Sequence, residues 1–279
     1  MQKIALLIGS PLVKGSNYLS GVSGDIQNFE SFLLSPIGGG WQKEEIVTFP
    51  LNPTKRDVLR YLIALKQYDY AFVYFSGHGK TQATGVSQWQ SVQLNQAEEL
   101  NITQFQSSAK RQLTIIDACR DVEDFSNFSG VSGIWESSST GEQLVKARTI
   151  YNNCLSKFMP GYLVWYATQL GTTATDDGRG GVFSNSVLRA VSLLNKHTNK
   201  DIITIADVHR VASKLMEKYS QVPQLVSDGR LLQLPFAVKS SMAKHIVEPT
   251  SDINWKEFIL GLIAVSGVFW AINQIAKDR

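Results

Sequence analysis

The chain has 279 residues, of which 43% are hydrophobic and 18% are charged, and its formal net charge is +3. This length and apolar fraction are typical of a globular protein with one large domain or two small ones. The lysines and arginines are scattered, so no basic stripe predicts a nucleic-acid partner. The two cysteines, Cys119 and Cys154, are too few for a disulfide framework and favour a reducing compartment.

Four short apolar runs have the character of buried parallel strands. They are rich in β-branched or aromatic residues, and glycine or polar residues close each of them. The first run begins near the N-terminus, where it is short and lacks the cleavage site of a secretory signal. The four runs are residues 3–9, 70–76, 112–117 and 161–168.

Amphipathic segments alternate with these runs. Residues 25–34 and 54–65 carry apolar side chains at helical spacing, and Thr54 is a suitable N-cap for the second segment. Two later helices are predicted at residues 184–194 and 204–219. The alternation predicts an α/β fold, with a mostly parallel central sheet flanked by helices on both faces.

Two polar stretches interrupt the alternation. Residues 77–95 read as a polar loop, and residues 121–160 read as a longer one that is rich in serine, glycine and asparagine. Both stretches leave the sheet at the carboxyl ends of strands, where ligands bind in open parallel sheets. Long loops inside an α/β domain are commonly functional. We therefore expect the functional site at this edge of the sheet.

The C-terminal region reads as a linker followed by a hydrophobic helix. Residues 258–272 carry no charge, and tryptophans near the ends of this run suit a membrane interface. The run is shorter than the roughly 20 residues of a full membrane span. We predict a domain at residues 1–238, a linker at 239–254 and a single-pass transmembrane helix at 255–276, with the domain in the cytoplasm. The alternative is a cytoplasmic protein whose last helix packs or oligomerises.

His78 and Cys119 each follow the end of an apolar run. If those two strands are neighbours, both side chains emerge at one sheet edge, where a thiolate can attack a carbonyl and an imidazole can protonate the leaving amine. The amides of Gly79 and Cys119 are candidates for an oxyanion hole. A single histidine or cysteine is more often structural, and Cys154 has no comparable context. The matched placement favours a catalytic pair.

These motifs resemble those of the caspase-like peptidases, especially the metacaspases and their bacterial relatives. The caspase signature is Gln-Ala-Cys-[Arg/Gln/Gly]-Gly with a histidine about 50 residues upstream. Here Asp-Ala-Cys-Arg-Asp, at residues 117–121, follows His78 by 41 residues. The resemblance implies a caspase-fold cysteine endopeptidase over about residues 1–240, with His78 and Cys119 as its dyad. Further similarities lie at residues 18–25, 166–183 and 225–237.

One departure from the caspases concerns specificity. Caspases cleave after aspartate and carry glutamine two residues before the nucleophile, where this chain has Asp117. The resemblance to metacaspases implies that Asp117 and Asp25 line the S1 pocket, where carboxylates would favour Arg or Lys at P1 and repel Asp. The alternatives are that Asp117 caps a strand end or pairs with Arg120, and that Asp25 is an ordinary helix-start residue.

The resemblance implies protein or peptide substrates and a role in stress, cell-death or defence signalling. We predict no cofactor or metal. A calcium requirement stays open, because the acidic residues form no recognisable calcium loop. Lys146, Arg148 and Lys157 are candidate self-cleavage positions within residues 121–160. Two other functions stay open: a latent or inactive caspase-fold module that binds or assembles at a membrane, and a different acyl-transfer enzyme.

Overall fold

A computed structural model gives the structure of residues 1–84, 87–105, 109–120, 135–136, 139–174, 180–227, 231–240 and 244–245. Its strands are β1 (Lys3–Ser10), β2 (Ile46–Thr48), β3 (Tyr70–Gly77), β4 (Gly79–Thr84), β5 (Ser87–Gln93), β6 (Glu99–Asn101), β7 (Arg111–Asp117), β8 (Trp135–Glu136), β9 (Gly161–Tyr166), β10 (Ile202–Thr204), β11 (Gln224–Ser227), β12 (Pro235–Val238) and β13 (Lys244–His245). Its α-helices are α1 (Gly21–Leu34), α2 (Lys55–Ala64), α3 (Gly141–Ser156), α4 (Val182–His197) and α5 (Ile205–Met216).

A six-stranded sheet organises the fold, in the order β11-β9-β7-β3-β1-β2. Its strands run parallel to their neighbours, except that β11 pairs antiparallel with β9 at one edge. The four apolar runs predicted as buried strands are β1, β3, β7 and β9. The predicted α/β fold with a mostly parallel sheet is therefore confirmed.

Two hydrophobic cores cover the two faces of this sheet. Successive residues of a strand point to opposite faces, so Ala5 and Leu7 pack into the core that includes α1, α4 and α5. Leu6 and Ile8 pack into the core on the other face, together with α2. Every residue of β1, β3 and β7 is buried. Burial on both faces explains why these strands read as continuous apolar runs.

The predicted helices are confirmed as α1, α2, α4 and α5. Thr54 caps α2, because its hydroxyl accepts a hydrogen bond of 3.2 Å from the amide of Asp57. Aromatic packing fixes α1 on the sheet, where the ring of Phe29 lies 4.1 Å from the ring of Tyr74. Such pairs stabilise by roughly 0.5–1.5 kcal/mol beyond the area that they bury.

The prediction of a polar loop at residues 77–95 is wrong. β4 and β5 pair antiparallel in this region, and β6 extends them to a three-stranded sheet. Val92 and Leu100 oppose each other across β5 and β6, and both side chains are fully buried. These two apolar residues pack the three-stranded sheet onto the core. Because their neighbours in the sequence are polar, the composition of the segment does not indicate a strand.

The prediction of one long loop at residues 121–160 is also wrong, because α3 occupies much of it. Thr140 opens this helix with a capping box, and its buried residues are Ala147, Tyr151 and Leu155. Buried residues spaced four apart form a stripe that is narrow for an amphipathic helix, so the sequence pattern does not indicate α3 clearly.

Cys154 lies on this helix rather than in a loop, and burial raises the pKa of its thiol.

Two segments of the C-terminal third differ from what the sequence indicates. The segment 225–237, which resembles a single last strand, contains β11 of the central sheet and β12, which pairs with β10 in a separate sheet. Within the predicted linker, β13 pairs with β8. The helix predicted at residues 255–276 lies outside the described residues. Among the helices that the structure describes, none has the length and apolarity of a membrane span.

Candidate active site

The carboxyl edge of the central sheet brings His78 and Cys119 to equivalent positions. β3 and β7 are hydrogen-bonded neighbours, and their parallel register pairs Ser76 with Asp117. His78 lies two residues after Ser76, and Cys119 lies two residues after Asp117. Neighbouring strands are about 4.8 Å apart. The condition set by the sequence, that the two preceding strands be adjacent and parallel, is therefore met.

A backbone carbonyl orients the imidazole of His78. The Nε2 atom of His78, a residue that is 8% exposed, lies 2.9 Å from the carbonyl oxygen of Asn17. Because a carbonyl oxygen can only accept, Nε2 is the donor in this hydrogen bond. The contact therefore favours the tautomer with its proton on Nε2, in which Nδ1 is the ring nitrogen that can accept a proton.

The sulfur of Cys119 contacts Ala174, which lies in the segment that follows β9. Its Sγ lies 3.3 Å from the amide nitrogen of Ala174 and 3.4 Å from the carbonyl oxygen of Ala174. The cysteine is partly exposed, unlike a structural cysteine sealed in a core. Backbone hydrogen bonds hold this segment, since Arg120 N donates to Thr172 O and Gly171 N donates to Arg120 O, both at 3.0 Å.

Gly79 lies directly against the nucleophile segment. A Cβ atom at this position would come within 2.6 Å of the carbonyl oxygen of Cys119 and 2.9 Å of the Cβ atom of Ala118. Both distances are shorter than any real Cβ contact, so only glycine lets β4 begin this close to the end of β7. The structure therefore places the two residues predicted for the oxyanion hole beside each other.

Asp25 and Asp117 are both buried, with exposures of 1% and 5%. Asp25 accepts hydrogen bonds of 2.9 Å from the hydroxyl of Ser76 and from the amide of Gly181. Asp117 accepts hydrogen bonds from the amide of Ser184 at 3.2 Å and from its hydroxyl at 2.5 Å. These four donors are neutral groups, and they fix the positions of the two carboxylates.

The two carboxylates act on a neighbouring tyrosine. The hydroxyl of Tyr74 lies 2.6 Å from the hydroxyl of Ser184. Burial raises the pKa of Tyr74 well above its usual value, and the charges of Asp25 and Asp117 raise it further. Both carboxylates thus lie close enough to the hydroxyl of Tyr74 to disfavour its ionisation.

The alternative pairing of Asp117 with Arg120 is not what the structure shows. The guanidinium of Arg120 donates to the carbonyl of Thr168 at 3.0 Å and to the side chain of Gln224 at 2.6 Å. It also stacks 3.9 Å from the centroid of Tyr166. Arg120 therefore links the segment after β7 to β9 and β11. Among the residues that the structure describes, Asp117 instead accepts hydrogen bonds from Ser184, which lies at the start of α4.

Several groups of this site have no individual role that the sequence predicts. Asn17 and Ala174 act through backbone atoms, which any residue type supplies. Gly181 and Ser184 lie at the start of α4, and Gly181 donates its amide to Asp25 while Ser184 holds Asp117. The pair of glycines at residues 180–181 was the one available signal, because a Cβ at either position would collide with a carboxylate oxygen.

Another histidine has a structural environment rather than a catalytic one. His209 lies on α5 with its ring 5.7 Å from the ring of Trp165. Burial lowers the pKa of His209 to about 4, so this side chain is neutral near pH 7.

Comparisons with known proteins bear on the family. The family model described as the caspase domain matches residues 2–232. Protein GSU0716 from Geobacter sulfurreducens is similar in structure, with a TM-score of 0.55 at 16% identity over 86% of this chain and 100% of that chain. Caspase-1 from Spodoptera frugiperda gives a TM-score of 0.53 at 13% identity, over 86% of this chain and 91% of that chain. No curated protein matches the chain.

The two structural similarities show a shared fold, because sequence identities this low carry no information about activity. The family match is the stronger finding, since it spans most of the chain and includes both strands that lead to His78 and Cys119. The chain therefore belongs to the caspase-domain family of cysteine peptidases.

Proposed function

We propose that the chain is a cysteine endopeptidase in which Cys119 is the nucleophile and His78 is the general acid and base. One observation carries the proposal: both residues lie two positions beyond a matched pair in neighbouring parallel strands. The carbonyl of Asn17 supports it further, because it holds the proton of the imidazole on Nε2.

The proposed reaction passes the thiol proton through His78. Nδ1 of the imidazole accepts the proton of Cys119, and Sγ then attacks the scissile carbonyl carbon. The imidazolium donates this proton to the leaving amine as the C–N bond breaks, which leaves a thioester on the sulfur. A water molecule, deprotonated by the same imidazole, hydrolyses the thioester and restores the thiol.

The oxyanion of each tetrahedral intermediate needs fixed donors, and we propose the amides of Gly79 and Cys119. The assignment is supported by the contact between the two main chains, since a Cβ at Gly79 would come within 2.6 Å of the carbonyl oxygen of Cys119. Removing one such donor in other enzymes costs roughly 10²–10³ in rate. A backbone donor is held by the strand that carries it, so it needs little rearrangement when charge develops.

We propose that Asp25 and Asp117 favour Arg or Lys at P1. Both carboxylates lie beneath the edge that carries the dyad, and their hydrogen bonds from Gly181 and Ser184 fix their positions. A P1 guanidinium could pair bidentately with such a carboxylate, whereas a P1 aspartate would be repelled. The raised pKa of Tyr74, caused by burial and then by these two charges, supports a negative potential there.

The test is peptide cleavage by the full chain, with fluorogenic peptides that end in Arg, Lys or Asp at P1. We expect cleavage after Arg and Lys, and none with Cys119→Ala. Cys154→Ala is the matched control, because it removes the other cysteine of the chain and should leave cleavage unchanged. Undiminished cleavage by Cys119→Ala would refute the dyad, and a preference for Asp would refute only the assignment of S1.

A latent enzyme is the second candidate, and the contact between Cys119 and Ala174 favours it. Both polar backbone atoms of Ala174 lie within 3.4 Å of the sulfur, where the scissile carbonyl must approach. Iodoacetamide labelling separates the two states: an open site reacts at once at Cys119, whereas a latent one reacts only after an activating partner or calcium is added. If the chain were instead a non-enzymatic binding module, wild type and Cys119→Ala would bind partners equally well.

Self-cleavage within residues 121–160 is a further part of the proposal, and α3 narrows it. Arg148 lies within the helix and forms two hydrogen bonds of 2.6 Å with Glu45, so it suits an extended substrate poorly. Lys157, exposed just after the helix, is the better candidate. Mass spectrometry should show fragments ending at Lys157 in wild type; equal fragments in Cys119→Ala would exclude self-cleavage.

The proposed setting is signalling in stress, cell death or defence, with residues 255–276 as a membrane anchor. The family supports the setting, and the apolar composition of these residues supports the anchor. Membrane fractionation of the full chain and of a chain lacking residues 255–279 tests the anchor. Equal recovery of both in the unsedimented fraction would exclude it.

A further inference from the structure

We infer that Asn52 is a positioning residue for His78, an inference that rests on the proposed catalytic role of that histidine. Asn52 lies in the connection between β2 and α2, and its φ of 56° is in the left-handed region. It directly precedes Pro53, and residues before proline favour extended conformations. A non-glycine residue in the left-handed region persists where surrounding contacts enforce it.

The contacts that enforce this conformation are made with the carboxyl end of β1. The amide of Asn52 donates to the carbonyl of Gly9 at 2.9 Å. Its side-chain Oδ1 accepts from the amide of Leu12 at 3.0 Å and lies 3.5 Å from the hydroxyl of Ser10. Asn52 thus contacts both the last residues of β1 and the first residues of the loop that follows it.

That loop supplies the hydrogen-bond acceptor of His78. It runs from β1 to α1, and a hydrogen bond of 3.0 Å from the amide of Leu19 to the carbonyl of Pro11 closes its neck. Asn17 lies inside the closed loop, with its carbonyl oxygen 2.9 Å from Nε2 of His78. The Oδ1 contact with Leu12 fixes the start of the loop, so it fixes where this carbonyl points.

A second route runs from Asn52 to the backbone of His78. Ser10 pairs with Gly77 in the register of β1 and β3, and Gly77 directly precedes His78. A Cβ at Gly77 would come within 2.5 Å of the carbonyl oxygen of Ser10 and 3.0 Å of its Cβ atom. The two segments are therefore in tight contact, and a displaced Ser10 would displace the residue that carries the imidazole.

Both routes end on the same side chain, one at Nε2 and one at the backbone. The loss of about 1 Å in the position of a reacting group can cost roughly 10² in rate. Asn52 contacts neither the sulfur nor the imidazole, so it would act on the rate of the chemical step rather than on substrate binding. This predicts a fall in kcat with an almost unchanged KM.

Three substitutions test the inference in the full chain. Asn52→Gly keeps the left-handed backbone and relieves its strain but removes Oδ1. Asn52→Asp keeps an acceptor oxygen at the same place. Ser220→Gly is the control, because Ser220 also has a positive φ, of 54°, but lies in the turn after α5. Each protein is assayed with a peptide carrying Arg at P1, and its unfolding free energy is measured.

We expect Asn52→Gly to lower kcat by about 10-fold or more with KM within twofold, at unchanged or greater stability. Asn52→Asp should retain kcat within about threefold, and Ser220→Gly should match wild type. In proteins with ¹⁵N-labelled histidine, the Nε2–H proton of His78 should be protected from exchange in wild type and Asn52→Asp, and lose this protection in Asn52→Gly. This spectral readout does not depend on turnover.

Either of two results would overturn the inference: a protected Nε2–H proton with near-normal kcat in Asn52→Gly, or equal losses of kcat in Asn52→Gly and Ser220→Gly. Failure of the proposed function is a separate outcome. It would appear as full activity in His78→Ala, whereas the exchange of the Nε2–H proton would still decide whether Asn52 positions the ring.

Discussion

The two ends of the central sheet bury polar groups in different ways. At the carboxyl end, Asp25 and Asp117 each accept hydrogen bonds from well-placed neutral donors. At the amino end, the side chain of Lys3 is fully buried, and its Nζ has no hydrogen-bond partner in the described part of the chain. It lies 4.3 Å from the ring centroid of Trp41 and 4.0 Å from Glu45.

This difference predicts that substitutions at the two ends have different effects. Burial lowers the pKa of Lys3 to about 7, although the charge of Glu45 opposes this shift. Arg148 binds Glu45 through its two terminal guanidinium nitrogens, Nη1 and Nη2, so Lys3 is an additional cation beside a carboxylate that already has a partner. Changes at the carboxyl end should therefore alter rate, and changes at the amino end should alter stability.

The largest expected effect is that of His78→Ala. Loss of the proposed proton carrier should reduce kcat/KM for peptides with Arg at P1 by about 10³-fold or more, with unfolding free energy within about 1 kcal/mol of wild type. His197→Ala, at the end of α4, is the matched control and should keep full activity. If His78→Ala instead lowered the unfolding free energy by clearly more than 1 kcal/mol, the proposed contrast between the two ends of the sheet would be wrong.

Asp117→Asn should have the next largest effect, and it should depend on the substrate. The amide keeps the size of the side chain but removes the charge that a P1 guanidinium would meet, so kcat/KM for Arg peptides should fall by about 10²-fold. Peptides with a neutral P1 residue should lose less than threefold. Equal losses on both substrates would mean that Asp117 serves only to hold the start of α4 through Ser184.

Lys3→Met should stabilise the fold by about 1–4 kcal/mol at pH 7, as replacing other buried charges does. Unfolded Lys3 has a pKa of 10.5, so between pH 7 and 10.5 the unfolded chain carries a proton that the folded chain lacks. Raising the pH through this window stabilises wild type, whereas below pH 7 the full penalty of the buried charge applies. Unfolding titrations of both proteins measure the difference.

The advantage of Lys3→Met should therefore shrink steadily as the pH rises from 7 to 10.5, while peptide cleavage at a fixed pH stays unchanged. A constant difference across this window would mean that Lys3 is not deprotonated within the fold. Lys66→Met, in the short helix after α2, is the control because Lys66 is exposed; it should show no such trend.

The smallest effect is expected at the cap of α3, the helix that brings Tyr151 and Arg148 to the amino end. Thr140→Ala removes the hydroxyl that accepts from the amide of Gln143. Unfolding by urea should show a loss of about 1 kcal/mol, with cleavage unchanged. Thr140→Ser should restore stability; if it does not, the cap contributes nothing measurable.

The sequence by itself determined the central strands and the edge that carries the site. β1, β3 and β7 are buried at every residue, so each must be an apolar run, and such runs are readable without a structure. His78 and Cys119 follow two of these runs, so their candidacy needed only the adjacency of β3 and β7. The helices with wide apolar faces were predictable for the same reason, since their periodicity is local.

Only the tertiary structure decided which partners complete these elements. The carbonyl of Asn17 and the backbone of Ala174 reach the two candidate residues through chain folding, and backbone atoms leave no trace in residue type. α3 was not predicted because only three of its 16 residues are buried, so its apolar pattern is weak. Lys3 became a buried cation because Trp41 and Tyr151, distant in sequence, close over it. Contacts between remote segments set these environments, whereas local patterns set the strands.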